Sequence, residues 1–129
     1  MTTGQLKLRS RVTSVGEGVE EFRAARILVF FQDGAPEELA EFSILHLADI
    51  NLATVAPGDT LWLGAASFGV LAVGDVANQN LANLGHLVVK ANGLTQPEML
   101  GDVCVEAKPL PRLHIGDSIK IRGSSPKAE

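Results

Sequence analysis

Apolar and polar residues alternate with a period of two over most of the chain, the pattern of short strands that bury one face. The first segment places leucine and valine on one face and lysine and arginine on the other. A second segment, 26–31, is apolar on both faces. The strands predicted in this way are residues 6–12, 26–31, 42–47, 60–63, 68–73, 86–91, 103–107 and 118–122.

Only one or two short helices interrupt these strands. The clearer helix has Asp75 as its N-cap, apolar residues at helical spacing and Gly85 just beyond its end. A shorter helix begins at Pro36, with Glu37 and Glu38 in its first turn. Strands and helices do not alternate as βαβ units, so a doubly wound sheet is not expected. The sequence predicts a mainly β protein, a small antiparallel β-barrel with one or two short helices.

Two segments share a local repeat. Residues 58–63 and 116–121 both read Gly-Asp-Ser/Thr-Ile/Leu-x-Ile/Leu. A Gly-Asp turn that starts an alternating strand recurs in small barrels, so we interpret the repeat as architecture. Gly69, inside a predicted strand, indicates a bulge or a close backbone approach.

Length and composition predict one soluble domain. The 129 residues are 46% hydrophobic and 20% charged, enough for a single core at residues 1–122 with a polar tail at 123–129. The N-terminus lacks an apolar signal segment, and no run approaches the roughly 18 apolar residues of a membrane span. A cytoplasmic location is therefore expected. The single cysteine, Cys104, lies between valines and is interpreted as a small buried hydrophobe.

Charge argues against nucleic acid as a partner, because the net charge is −4 and the isoelectric point about 5.3. The acidic residues form two groups. We interpret the first group as solvated loop charges, whereas for the second a docking rim for a basic partner is equally well supported. The groups are Glu17, Glu20 and Glu21, and Asp33, Glu37, Glu38 and Glu41.

The chemistry of the chain depends on its three histidines, since P-loop, dinucleotide and nucleophile-elbow motifs are absent. His46 closes a nearly apolar strand, where burial favours the neutral, nucleophilic imidazole but costs free energy unless both nitrogens find partners. Taken alone, it is a satisfied core histidine by default. His86 follows Gly85 and either caps the last helical carbonyls or has a function. His114 is expected in an exposed loop. No metal site is predicted, because the histidines lie far apart without a cysteine cluster.

The run from Phe31 to Ile121 resembles the enzyme IIA component of the bacterial glucitol/sorbitol phosphotransferase system. Each matching piece is weak alone, but their order and intervals are specific. The pieces are Gly34-Ala35-Pro36 with Glu37, Leu39 and Glu41, Ile44-Leu45-His46, Ala72-Val73-Gly74 with Val76-Ala77, Asn80-Leu81, Leu84-Gly85-His86, Gly93-Leu94, Gly101-Asp102-Val103 and Gly116-Asp117-Ser118.

The resemblance implies a phosphotransferase that carries a phosphoryl group on His46, at its Nε2 atom. It also implies a small cytoplasmic β-barrel of the IIA type and two protein partners. The phosphocarrier HPr donates the phosphoryl group, and the membrane-associated IIB component of a glucitol/sorbitol or related polyol permease accepts it. Such a carrier needs no cofactor, neither nucleotide nor magnesium.

His86 is the best candidate for a second group near the phosphate. Ser43 is a poor one, because strand alternation turns it away from His46. The chain departs from the family pattern directly after His46, where Leu47-Ala48-Asp49 lacks a second polar or histidine residue.

Two other functions remain open. The first is a barrel that binds a small ligand or a protein without chemistry, as the scarcity of polar catalytic residues suggests. The second is a regulatory relative that is phosphorylated but does not feed a transporter. A homodimer formed by edge strands is also left open, since nothing in the pattern compels it.

Overall fold

The computed structural model describes residues 4–51 and 54–123, with eight strands and three short helices in those residues. The expected tail, apart from Gly123, lies outside the described residues. In chain order the elements are β1 Leu6–Val15, α1 Val19–Ala24, β2 Ile27–Gln32, α2 Glu37–Ala40, β3 Ile44–Asn51, β4 Thr60–Leu63, β5 Ala66–Val73, α3 Ala77–Leu84, β6 Leu87–Lys90, β7 Asp102–Val105 and β8 Ser118–Arg122.

The eight strands close into a barrel in the order β1-β3-β2-β6-β7-β5-β4-β8, and β8 pairs with β1 to complete the ring. The predicted mainly β barrel is therefore confirmed. Each described strand has two neighbours, so the described part of the chain offers no edge strand for the homodimer pairing considered above.

The expectation of a wholly antiparallel barrel is wrong for two of the eight pairings. β2 pairs with β3 in parallel, and β6 pairs with β7 in parallel. Parallel neighbours need a crossover rather than a hairpin, and both connections provide one. Residues 33–43, which include α2, join the first pair, and residues 91–101 join the second.

Alternation along the strands builds the core as predicted. On β1, Leu8, Ser10 and Val12 point inward and are almost completely buried. On β2 the inward residues are Leu28 and Phe30. Most of the other inward positions of the barrel are apolar, with Phe30 and Phe68 the bulkiest side chains that are fully buried. A polar residue such as Ser10 in this lining therefore calls for a partner.

The prediction of one or two helices is wrong because it missed α1. The expected solvated loop around Glu20 is instead a six-residue helix in which only Val19 is buried. Hydrogen bonds from Arg23 and Arg112 hold the pKa of Glu20 at about 2. A helix held by such tertiary ion pairs carries almost no periodic apolar signal.

The end of α3 was predicted correctly and its beginning was not. Val76, rather than Asp75, is the N-cap, and no side chain caps the helix. Backbone carbonyls satisfy this end, because Val76 N donates to Leu100 O at 3.0 Å and Ala77 N donates to Gly74 O at 3.1 Å. Gly85 adopts the left-handed conformation just beyond Leu84, as expected.

The Gly-Asp repeat is architectural. Asp59 Oδ2 accepts a hydrogen bond from Ala56 N at 2.8 Å, and Asp117 Oδ2 accepts one from His114 N at 2.7 Å. Each carboxylate thus ties the turn that starts its strand, and the two strands, β4 and β8, are paired in the barrel. A third turn has the same geometry, with Asp102 Oδ2 accepting from the amide of Met99 at 3.0 Å.

Cys104 is fully buried, as predicted. The Gly69 amide donates to Glu106 Oε1 at 2.7 Å. The β5–β7 register shifts just beyond this glycine, between Val70 and Ala72. The strand irregularity indicated by this glycine is therefore present.

Candidate active site around His46

The His46 side chain lies inside the barrel and is 3% exposed. It is the third buried residue of β3, and from Leu47 onward the strand emerges towards solvent. The ring Nδ1 lies 2.6 Å from Ser10 Oγ, and Nε2 lies 2.7 Å from Gly85 O. The Phe30 ring packs edge-on against the imidazole, with centroids 6.0 Å apart. Both nitrogens therefore have partners, as a buried histidine requires.

The two partners determine where the ring carries its proton. A carbonyl oxygen only accepts, so Nε2 carries the hydrogen and donates it to Gly85. Nδ1 then keeps the lone pair and accepts from the Ser10 hydroxyl. Burial lowers the pKa of His46 below 6.5, and the hydrogen bond to Gly85, which acts in the opposite direction, offsets only part of this effect. His46 is therefore a neutral imidazole near pH 7.

The carbonyl that holds Nε2 is fixed by the end of α3. Gly85 has φ +60°, and its amide donates to Leu81 O at 3.0 Å. A Cβ at this position would lie 2.8 Å from Gln32 N on β2. Only glycine combines this conformation with this close approach, so the helix end presents its carbonyl to His46 in one position.

The hydroxyl that holds Nδ1 comes from β1. Ser10 is 4% exposed, and its neighbours on the same face are Leu8 and Val12. Val12 lies directly opposite His46 in the β1–β3 register, which brings Ser10 within reach of the ring. Sequence reasoning missed Ser10. The available signal was a serine on the apolar face of an alternating strand.

His86 lies on the other side of β2. Its ring stacks on Phe31 with centroids 4.1 Å apart, and its Nδ1 is 3.2 Å from Phe30 O. Phe30 and Phe31 point to opposite faces of the strand, so His46 is on the inner face and His86 on the outer. The expectation that the His86 ring caps α3 is wrong, because its partner is a β2 carbonyl.

The remaining histidine is remote from this chemistry. The His114 side chain is 73% exposed and 3.6 Å from Asp117 in the turn before β8, as predicted for a loop residue. Among residues 4–51 and 54–123, no three histidine, cysteine or acidic side chains are grouped as a metal site would need.

The second acidic group surrounds α2, close to the backbone of His46. Asp33 N donates to His46 O at 2.8 Å, and its carboxylate accepts from Thr13 Oγ1 at 2.8 Å. Glu37, Glu38 and Glu41 are exposed. With Glu17 they line a cleft of about 600 Å³. The docking role of this rim remains a prediction.

None of the helices in the described residues is long and apolar enough to cross a membrane.

Comparison with known proteins agrees with the resemblance found in the sequence. The family model for the PTS system glucitol/sorbitol-specific IIA component matches residues 7–120. The PTS system glucitol/sorbitol-specific EIIA components of Shigella flexneri and Escherichia coli K12 are each 33% identical over 103 residues, which cover 80% of this chain and 83% of the relative.

The fold is similar to that of the PTS system IIA component from Enterococcus faecalis V583. The TM-score is 0.72 at 22% sequence identity, and the match covers 86% of this chain and 96% of that one. The barrel described above is thus shared with a solved IIA structure. With the family match over residues 7–120, the chain belongs to the glucitol/sorbitol-specific IIA family of phosphotransferase-system components.

Proposed function

We propose that this protein is a phosphoryl carrier that accepts a phosphoryl group on His46 from the phosphocarrier HPr. It passes the group to the IIB component of a permease for glucitol/sorbitol or a related polyol. The observation that carries this proposal is a neutral, buried imidazole whose two nitrogens contact only uncharged groups, Ser10 and Gly85. The protein would work in the cytoplasm, where it meets both partners.

The chemistry is a transfer between two imidazoles. A ring nitrogen of His46 attacks the phosphorus of the donor phosphohistidine, and the donor's P–N bond breaks in line with the attack. The electron pair of that bond stays on the departing donor imidazole. Positioning of the two rings and stabilisation of the phosphoryl oxygens carry such a reaction, so no nucleotide takes part.

Access is the main requirement that the geometry places on this function. Because His46 is 3% exposed, the ring or one of its two partners must move when the donor docks. The strand leaves the core immediately after it, at Leu47, which is 56% exposed. The acidic rim around α2 begins at Asp33, whose amide is bonded to the His46 carbonyl. A basic partner steered to that rim would arrive beside the carrier histidine.

His86 is proposed as the second histidine of the site. It follows Gly85 directly, so a movement of the α3 end that frees His46 also moves His86. Its Nδ1 donates to Phe30 O, so Nε2 is the ring atom that is not held by this carbonyl. That atom can contact a phosphoryl oxygen once the site opens.

The deciding experiment is intact mass after incubation with phosphoenolpyruvate, enzyme I and HPr, measured at alkaline pH. We expect one added phosphate that is lost in mild acid, and none on a folded His46→Gln variant. His114→Gln, which changes an exposed histidine, is the matched control and should gain mass like the wild type. If folded wild-type protein gains no mass while HPr is phosphorylated, the proposal fails and the binding-module alternative takes its place.

His86→Gln tests the second histidine in the same assay, followed over time. Loss of a group that contacts the phosphoryl oxygens should slow transfer by about 10²-fold or more, while the circular dichroism spectrum stays unchanged. A rate equal to that of the wild type would assign His86 a structural role against Phe31.

A further inference from the structure

Gln32, the last residue of β2, is the neighbour of His46 on the adjacent strand. The two residues are partners in the parallel β2–β3 register, and neighbouring strands lie about 4.8 Å apart. Phe30 points into the barrel and Phe31 stacks on its outer face, so alternation turns Gln32 to the inner face, like His46. Unlike the buried ring, the Gln32 side chain is exposed. The buried imidazole therefore has an exposed carboxamide beside it.

Gln32 also packs against the turn that holds the His46 ring. A Cβ on Gly85 would lie 2.8 Å from both the Cβ and the backbone nitrogen of Gln32. The carbonyl of the same glycine accepts the hydrogen bond from His46 Nε2 at 2.7 Å. The flexible side chain that starts at the Gln32 Cβ therefore begins next to the group that covers Nε2.

The two sides of the His46 ring differ in how deeply they are enclosed. On the Nδ1 side, Ser10 is 4% exposed in the apolar lining of β1. On the Nε2 side, Gly85 directly follows Leu84, which is exposed, and packs against the exposed Gln32. A movement of this turn opens a path from the surface to Nε2 and leaves Nδ1 enclosed.

The Gln32 carboxamide is free to bind a phosphoryl oxygen. Among residues 4–51 and 54–123 its side chain has no hydrogen-bond partner. The groups that contact the His46 ring, from Ser10, Phe30 and Gly85, carry no charge. A phosphoryl group at this ring therefore needs a hydrogen-bond donor from nearby, and a carboxamide N–H supplies one.

We infer that Gln32 is a further catalytic residue, whose side-chain N–H donates to a phosphoryl oxygen at Nε2 of His46. The inference rests on the proposed function. The donor acts on the charge that spreads over the phosphoryl oxygens during transfer, and such donors stabilise the transition state when they are already in place.

Bonds and protons balance in this step. When the turn moves, Nε2 gives the hydrogen that it shared with the Gly85 carbonyl to water, and Nδ1 takes one from water and donates it to Ser10 Oγ. Nε2 then uses its lone pair to form the new N–P bond. The donor's P–N bond breaks with its electron pair going to the donor nitrogen. The hydrogens of the Gln32 carboxamide stay on their nitrogen throughout.

The test is the rate of phosphorylation of His46 in Gln32 variants, with HPr as donor and, separately, with phosphoramidate. Gln32→Ala should slow the reaction by about 10²-fold with both donors, because one donor to the phosphoryl oxygens is lost. Gln32→Glu should be slower still, since its carboxylate repels the phosphoryl group, and Gln32→Arg should recover most of the rate. Circular dichroism should be unchanged, because the side chain is exposed.

Gln5→Glu is the matched control, because Gln5 precedes β1 by one residue and lies seven residues before Val12, the partner of His46 in the β1–β3 register. It makes the same charge change away from the ring and should react like the wild type. Gln32→Ala at the wild-type rate would overturn the inference. A loss seen with HPr but not with phosphoramidate would also overturn it, because Gln32 would then serve in docking.

The outcomes separate this inference from the proposed function. If the wild type is phosphorylated on His46 and Gln32→Ala reacts equally fast, the carrier stands and the role of Gln32 falls. If His46 takes no phosphate from either donor, the carrier fails and the inference fails with it.

Discussion

The His46 site and the Gly-Asp turns both bury polar side chains in the barrel, and the two differ in the charge of their partners. Asp59 and Asp102 are 3% and 2% exposed, and each meets a lysine ammonium at 2.9 Å, from Lys7 and Lys90. His46, at 3%, meets only a hydroxyl and a carbonyl. The three side chains are thus equally buried, but the two aspartates have charged partners and the histidine has uncharged ones.

The difference indicates what each place can do. A buried carboxylate bonded to a lysine and to its own turn cannot exchange partners without exposing an uncompensated charge, which is costly in the barrel wall. The neutral histidine can give up a hydroxyl or carbonyl partner for roughly the net free energy of one ordinary hydrogen bond, about 1 kcal/mol. A group that must bind and release a phosphoryl group needs partners of the second kind. The first kind fixes the architecture.

The largest effect is expected from Gly85→Ala, which disturbs the fixed partner of His46. The substitution places a Cβ at φ +60° and 2.8 Å from the Gln32 backbone, so we expect a loss of about 3 kcal/mol of unfolding free energy. Gly64→Ala is the matched control. It has φ +61° with no atom within 4 Å of the added carbon and should lose only about 1 kcal/mol.

Denaturant unfolding measures both losses, and phosphoryl transfer measured per folded molecule separates strain from function. Gly85→Ala should slow transfer because the His46 ring is no longer held, whereas Gly64→Ala should not. Equal losses of unfolding free energy in the two variants would show that the end of α3 is not fixed against β2.

The next effect tests the architectural side of the comparison. Asp59→Asn removes the carboxylate that neutralises the Lys7 ammonium, which also donates to Thr54 O at 2.8 Å, and we expect a loss of about 2 kcal/mol of unfolding free energy. Asp49→Asn breaks the exposed pair with Arg9 and should change stability little. Transfer per folded molecule should be unchanged by Asp59→Asn. If transfer falls while the barrel remains folded, the Asp59 turn contributes to phosphoryl transfer as well as to the fold.

The sequence was sufficient for the strands and for the class of the fold, because alternation records burial directly. β4 and β8 were predicted with the observed bounds. The parallel pairings were not predictable, since strand order around a barrel depends on crossovers and not on any local pattern. α1 was missed for a related reason, because ion pairs to Arg112, far along the chain, hold Glu20 in place.

For the site, the sequence supplied His46 through its family resemblance but supplied neither of its partners. Ser10 is 36 residues from the histidine and Gly85 is 39 residues away. Gly85 was predicted as the end of a helix, and its carbonyl acquires a role only when α3 packs against β2. The opposite placement of His86 likewise follows from alternation along β2, which becomes informative once the register between β2 and β3 is known.

The smallest effect is a pH dependence of stability that belongs to His46. Because burial lowers the pKa of His46 in the folded protein below the 6.5 of an ordinary histidine, the unfolded chain binds a proton at a higher pH than the folded one. The free energy of unfolding should therefore decrease as the pH falls below about 6.5, with a slope of at most about 1.4 kcal/mol per pH unit, and level off below the folded pKa. Urea unfolding of the wild type, His46→Gln and the exposed-site control His114→Gln between pH 5 and 8 measures this slope. His46→Gln should lose it and His114→Gln should keep it. A slope that survives in His46→Gln would mean that the charged groups of the barrel, rather than its neutral histidine, set the response to acid.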